Sequence, residues 1–191
     1  MLESATLNKL SSYLFDATLK VIRENFYIDS DPDITVLKDQ HYENCDQLVM
    51  ITLCSFDFKC LAMLHFPNTT EFKQQLVLFP DKNIHSEAEL TRLAIDKLGE
   101  LCNGIAGFMK KKLEHSFANV GISTPQLLNH FSLDVLLQKT PDYLLNLKVQ
   151  LDNKHTVIVG FIVFLDKNCH FKLNSQPPKV EVVEEGDVIL F

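Results

Sequence analysis

The stretch that decides the fold is residues 86–117, which read SEAELTRLAIDKLGELCNGIAGFMKKKLEHSF. Ser86 stands where a helix N-cap is expected, and Glu89 follows three residues later in the position of a capping box. At about 100° per residue, the apolar side chains fall in one sector of this helix and the polar ones in the opposite sector. The apolar sector contains Leu90, Ala94, Leu98, Leu101, Ile105 and Phe108. We therefore predict one long helix over residues 86–117 that buries its apolar sector against a sheet.

The polar sector of the same helix contains Asp96, Glu100, Asn103, Gly107 and Glu114. Glu100 and Asn103 are three residues apart, so their side chains are neighbours on the helix surface. Glycine is unfavourable in an exposed helix interior by about 1 kcal/mol, yet three of the chain's six glycines lie in this helix. The pattern has two interpretations. It is either a solvated acidic face with glycines for helix packing, or a face that another molecule approaches closely.

The segments on either side of this helix alternate between helical and strand patterns. Residues 1–25 have apolar side chains at helical spacing, and a shorter helical pattern begins after a capping threonine, Thr69 or Thr70. The strand-like segments are residues 34–37, 48–56, 58–66, 143–151 and 156–165, with a loop at 119–125 and a strand or short helix at 126–137. Short connections join two pairs of these strands as hairpins, which indicates antiparallel pairing. The sequence therefore predicts an α+β fold in which long helices pack on an antiparallel sheet.

One domain accounts for most of the chain, because 191 residues suit a single core. The segment Gln176-Pro177-Pro178 interrupts the pattern, and the residues after it alternate valine with acidic side chains. We therefore predict a domain over residues 1–175 and a C-terminal extension over residues 176–191, which forms an edge strand or a tail.

Charge and hydropathy exclude several classes of partner. The formal net charge is −7, and the longest basic run is Lys110-Lys111-Lys112. Proteins that bind nucleic acid or anionic membranes need a larger basic patch, so we expect neither partner. The longest apolar stretch, residues 156–165, is too short to span a bilayer, and the N-terminus lacks the pattern of a signal peptide. We expect a cytoplasmic protein.

The usual metal-binding and catalytic motifs are missing from the sequence. The five cysteines are odd in number and include no C-x-x-C pair, which favours buried free thiols over disulfides or a zinc site. The seven histidines are scattered, and the sequence has neither H-E-x-x-H nor a glycine-rich phosphate loop. We predict no metal site, and the polar sector of the long helix is the candidate functional site.

Residues 98–127, LGELCNGIAGFMKKKLEHSFANVGISTPQL, resemble the signature region of the CheC/CheX/FliY family of chemotaxis phosphatases, most closely CheX. The family pattern is Asp or Ser, then Glu after three intervening residues, Asn after two more, and Pro further along. Asp96, Glu100, Asn103 and Pro125 occur here in that order. CheC and FliY carry two such helices, whereas CheX and this chain carry one. Three further groups of residues extend the resemblance: Ala106-Gly107, 112–115 and 122–125.

The resemblance implies a CheX-like fold, an activity and a role for each site residue. Members of this family remove the phosphoryl group from the phosphorylated aspartate of the response regulator CheY. The resemblance implies two catalytic residues, Glu100 paired with the lysine of the regulator's active site and Asn103 orienting the attacking water. Asp96 and Gly107 are implied to contact the partner. That partner is a phosphorylated CheY-like regulator, which is expected to supply its own Mg²⁺, so we expect no cofactor in this chain.

Two other functions stay open at this point. A CheX-like module could bind a receiver domain or a flagellar component without hydrolysis, and a purely structural dimer unit would bind no receiver. The presence of both Glu100 and Asn103 favours the enzyme. We also predict a homodimer, because residues 49–53 and 157–163 are apolar on both strand faces and because CheX-like proteins dimerise.

Overall fold

The structure, a computed structural model, describes residues 2–26, 31–37, 45–77, 84, 86–129, 132, 135, 138–151, 155–166, 169 and 171–173. Its helices are α1 (Ser4–Asn25), α2 (Thr70–Val77) and α3 (Glu87–Leu113). Its strands are β1 (Asp33–Leu37), β2 (Gln47–Cys54), β3 (Phe58–Phe66), β4 (Gly121–Ile122), β5 (Gln126–Asn129), β6 (Tyr143–Gln150) and β7 (Thr156–Leu165). The predicted domain boundary at residue 175 and the extension over 176–191 lie outside the described residues.

The described strands form one sheet in which every pairing is antiparallel. Their order across the sheet is β1-β6-β7-β3-β2-β4, and β5 also pairs with β2. The hairpin β2–β3 places Met50 opposite Met63, and the hairpin β6–β7 places Asn146 opposite Gly160. The predicted α+β fold with an antiparallel sheet is therefore confirmed.

The long helix α3 begins where the sequence predicts and ends earlier. The Ser86 Oγ accepts a hydrogen bond of 3.2 Å from the backbone N–H of Glu89, so the predicted N-cap is confirmed. The helix ends at Leu113 instead of near Phe117. After Leu113 the chain makes a turn, and the Phe117 ring packs edge-on against Phe58 with ring centres 4.9 Å apart. This aromatic contact stabilises the chain where it leaves the helix axis.

The apolar sector of α3 faces the sheet, and α1 packs beside it on the same face. Leu101 is 2% exposed, whereas Asn103 is exposed, so the predicted orientation of the helix is confirmed. Phe108 is an exception in the predicted sector because it is only half-buried. Its ring packs against the edge of the core, and the Lys112 Nζ lies 5.4 Å from the centre of this ring and 5.3 Å from the centre of the Tyr13 ring of α1.

The opposite face of the sheet has a smaller apolar cluster: Leu48, Met50, Leu61, Met63, Ile162 and Phe164. All six side chains are buried within a single chain. The apolar character of both faces of β2 and β7 is therefore accounted for without a second copy. The homodimer stays a prediction that this feature no longer supports.

The five cysteines are free thiols, as the sequence predicts. Cys45, Cys60 and Cys102 are buried, and burial raises the pKa of the Cys45 and Cys102 thiols from 9.0 to about 12. Cys54 differs from the expectation because it is exposed, and Cys169 is half-buried. In the described part of the chain, no helix combines the length and the hydropathy that a membrane crossing requires.

Candidate functional site

The candidate site is the solvent-facing ridge of α3. Asp96, Glu100 and Asn103 are exposed, and Gly107 is half-buried. The four positions lie on one helical face and span about 16 Å at 1.5 Å per residue. The structure thus places all four predicted site residues together, with Glu100 and Asn103 as immediate neighbours one turn apart.

Two elements flank this ridge, and the glycines of α3 show how closely each approaches. A Cβ added to Gly104 would lie 3.1 Å from the Val21 Cγ2, so Gly104 allows α1 to pack tightly against α3. On the other flank, a Cβ added to Gly99 would lie 3.7 Å from the Pro125 Cβ, which is an ordinary contact. A Cβ added to Gly107 would meet nothing within 4 Å. Gly104 therefore serves helix packing, whereas Gly107 leaves open space beside Asn103.

Charged pairs lie at both ends of the ridge, and the stretch over residues 101–109 is uncharged. Arg92 pairs with Asp96 at 3.3 Å, and Lys110 pairs with Glu114 at 2.5 Å. No charged residue occurs between Glu100 and Lys110 in the sequence. Ion pairs as exposed as these contribute little to stability. Their arrangement matters more for partner choice, because carboxylates lie on the N-terminal side of Asn103 and a lysine lies on its C-terminal side.

The Asn103 amide is available to a partner. The side chain is exposed, and no residue in the described ranges hydrogen-bonds to it. A carboxamide can accept a hydrogen bond from water and donate one to an anionic oxygen at the same time. The adjacent Glu100 carboxylate, 73% exposed, can pair with a cation. The ridge can thus bind a cation at Glu100 and, beside it, an anion and a water molecule at Asn103.

Comparison with known proteins identifies the architecture. The sequence matches no family model and no curated protein. A chain of the CheX–CheY–BeF3–Mg²⁺ complex from Borrelia burgdorferi superposes with a TM-score of 0.64 at 15% identity, over 80% of this chain and 96% of that chain. The chain has the CheX-like fold. CheX from Vibrio vulnificus superposes with a TM-score of 0.59 at 13% identity, over 82% and 99% of the two chains. A CheC-like protein from a Shewanella species superposes with a TM-score of 0.57 at 15% identity, over 81% of this chain and 97% of that chain.

Sequence reasoning missed two residues of this CheX-like fold: Lys97, which contacts the site, and Asn25, which contacts Lys97. Lys97 lies 4.0 Å from the Glu100 carboxylate, measured from Nζ to Oε2. Its Nζ also donates a 2.9 Å hydrogen bond to the Asn25 Oδ1. The spacing of Lys97 and Glu100 on one helix could have indicated the first contact. No sequence spacing indicates the hydrogen bond between Lys97 and Asn25, because Asn25 is in a different helix.

The described residues of this CheX-like fold contain no cluster of metal-ligating side chains. Among these residues, no group of three or more His, Cys, Asp or Glu side chains could hold a metal ion. On the ridge itself, Asp96 and Glu100 are each within 4.0 Å of a basic side chain of the same helix. A Mg²⁺ ion supplied by a partner therefore remains an expectation.

Gly104→Ala and Gly107→Ala are expected to differ in stability although both replace a helical glycine. Alanine favours a helix over glycine by about 1 kcal/mol, so Gly107→Ala should raise the free energy of unfolding because its Cβ enters open space. At Gly104 the Cβ presses on Val21, so this gain should be offset or reversed. Urea unfolding of the two variants measures the difference. Equal stabilisation of both would contradict the close packing of α1 on α3.

Proposed function

We propose that the chain belongs to the CheC/CheX/FliY family and hydrolyses the aspartyl phosphate of a CheY-like response regulator. The observation that carries the proposal is the placement of Glu100 and Asn103 side by side and exposed on the long helix of a CheX-like fold. Their order with Asp96 and Pro125 is that of the family motif. The Borrelia CheX structure that this fold matches contains CheY, BeF3 and Mg²⁺, which supports a CheY-like partner for this chain.

In this proposal Asn103 orients the water that attacks phosphorus. An acyl phosphate has a good leaving group and a loose transition state, so placing a water in line contributes more than a strong base would. The amide accepts a hydrogen bond from the water and donates one to a phosphoryl oxygen. A new bond forms between the water oxygen and phosphorus while the bond from phosphorus to the aspartate oxygen breaks. The products are inorganic phosphate and the regulator's free carboxylate.

Glu100 anchors the regulator through an ion pair with the lysine of its active site. Its carboxylate projects from the ridge with 73% of its surface exposed, so a docking lysine can reach it. The pair strengthens as docking removes water from both groups. Asp96 supports the contact one turn earlier, and the open space at Gly107 gives clearance to the regulator's loops. Mg²⁺ held by the regulator would offset the charge of the phosphoryl oxygens.

The decay of a phosphorylated receiver domain, measured with and without the protein, tests this function. Each receiver is phosphorylated with a small-molecule donor, the donor is removed, and the remaining phosphoryl group is followed over time. Accelerated decay of at least one receiver is the expected result. A receiver that binds the protein but decays at its own rate would instead identify a non-catalytic binding module.

We also propose that the protein is a cytoplasmic homodimer whose interface includes the outer edge of β1. Within the described strands, β1 pairs only with β6, and its Val36 is 60% exposed. An edge strand of this kind is a template for pairing with another chain. Light scattering at tens of micromolar should give about twice the monomer mass of 21.8 kDa, and Val36→Glu should lower it. A wild-type mass of one monomer would contradict the dimer.

A further inference from the structure

Lys97 is held in a fixed position between two helices. Its Nζ donates a 2.9 Å hydrogen bond to the Oδ1 of Asn25, the last residue of α1. The Asn25 Nδ2 in turn donates a 2.9 Å bond to the Val21 carbonyl. Val21 is also the residue against which α1 approaches Gly104 of α3. The position of the Lys97 ammonium therefore depends on the packing of α1 against α3, and only 23% of this side chain is exposed.

This anchored ammonium faces the carboxylate that the proposed function assigns to docking. The distance from the Lys97 Nζ to the Glu100 Oε2 is 4.0 Å, so the interaction is Coulombic and is not a hydrogen bond. The pair Arg92–Asp96 on the same ridge is different, because its side chains are 65% and 61% exposed. Lys97 is thus a cation that α1 holds beside Glu100. It partly neutralises the Glu100 carboxylate and so weakens the attraction of that carboxylate for an incoming cation.

We propose that Lys97 competes with the regulator's lysine for Glu100 and thereby limits the affinity of docking. The inference rests on the proposed function and adds a positioning residue to it. Both competitors are ammonium groups, and Glu100 attracts the incoming one less strongly while Lys97 already neutralises part of its charge. Lys97 cannot move away freely, because departure costs its hydrogen bond to Asn25. The consequence is weaker binding and faster release of the regulator after its phosphoryl group is gone.

The test is the dissociation constant of a receiver domain activated with BeF3⁻ and Mg²⁺, measured by titration against a set of variants. Lys97→Met removes the competing charge and should tighten binding by about two- to fivefold, the range of an exposed ion pair. Lys97→Gln removes the charge but keeps a donor for Asn25, so it tests the same point if Lys97→Met folds poorly. Lys97→Arg keeps the positive charge and should bind the receiver with wild-type affinity. Lys20→Met, which breaks an exposed α1 pair with Glu24, makes the same change in net charge and should have no effect.

The same measurement in a Glu100→Gln variant tests whether Lys97 acts through Glu100. In Glu100→Gln there is no carboxylate for the two lysines to compete for. Adding Lys97→Met to this variant should therefore leave its affinity for the receiver unchanged. Equal or weaker receiver binding by both neutral Lys97 variants would overturn the inference, as would a tightening that persists in Glu100→Gln. A wild-type protein that binds no receiver would overturn the proposed function and this inference with it. Unchanged affinity in both neutral Lys97 variants, beside a wild type that binds the receiver, overturns this inference and leaves the proposed function standing.

Discussion

Asn103→Ala is expected to abolish the accelerated decay of a phosphorylated receiver while leaving the affinity for that receiver nearly unchanged. The amide positions the attacking water, and loss of such positioning costs about 100-fold or more in rate. Docking persists because Glu100 makes the ion pair. Single-turnover decay gives the rate, and titration with the BeF3⁻-activated receiver gives the affinity.

Two controls separate this effect from unfolding and from loss of side-chain volume. Asn103 is exposed, so its replacement should change the free energy of unfolding by no more than about 0.5 kcal/mol. Asn103→Asp keeps the shape but places a carboxylate against the phosphoryl group, so it should also be inactive. Full activity in Asn103→Ala would show that the residue does not orient water, whatever the fold.

Glu100→Ala is expected to weaken both receiver binding and the rate of decay. A docking lysine that loses its carboxylate partner is left desolvated and unpaired, which costs about 2–5 kcal/mol in comparable interfaces. The dissociation constant should therefore rise by at least about 30-fold. Glu100 is exposed and its contact with Lys97 spans 4.0 Å, so stability should barely change.

A charge reversal provides the matched control for that prediction. Glu100→Lys should abolish docking to a normal receiver, and exchange of the receiver's active-site lysine for glutamate should restore part of the binding. Because that receiver lysine is also part of its own active site, the readout is affinity for the receiver and not its decay. Wild-type affinity in Glu100→Ala would place the docking contact elsewhere on the ridge.

Local patterns predicted most of the fold. The cap at Ser86 and the apolar sector that includes Leu101 depend on neighbours within the same helix, and both are found in the structure. The strand β4 lies inside the predicted loop 119–125, because its formation depends on a distant partner. The backbone N–H of Ser123 donates to the Thr52 carbonyl at 2.9 Å, and the Ser123 Oγ accepts from the Thr52 N–H at 3.0 Å. Such long-range pairing leaves no periodic signal in a short segment.

The site was predictable as far as it is built from one helix. Asp96, Glu100, Asn103 and Gly107 share a face because of helical spacing alone. The role of Gly104 in packing and the contact of Lys97 with Asn25 arise between helices, and no spacing rule reports them. The half-burial of Phe108 has the same origin, because it depends on how neighbouring elements pack at the edge of the core.

The measurement that tests the central claim most directly is the decay rate of a phosphorylated receiver as a function of the concentration of this protein. We predict an acceleration that rises to a plateau at the concentration where the receiver is fully bound, and that is absent with Asn103→Ala at equal occupancy. Decay at the receiver's own rate when wild-type protein saturates it would contradict the claim that the ridge of α3 is a hydrolytic site.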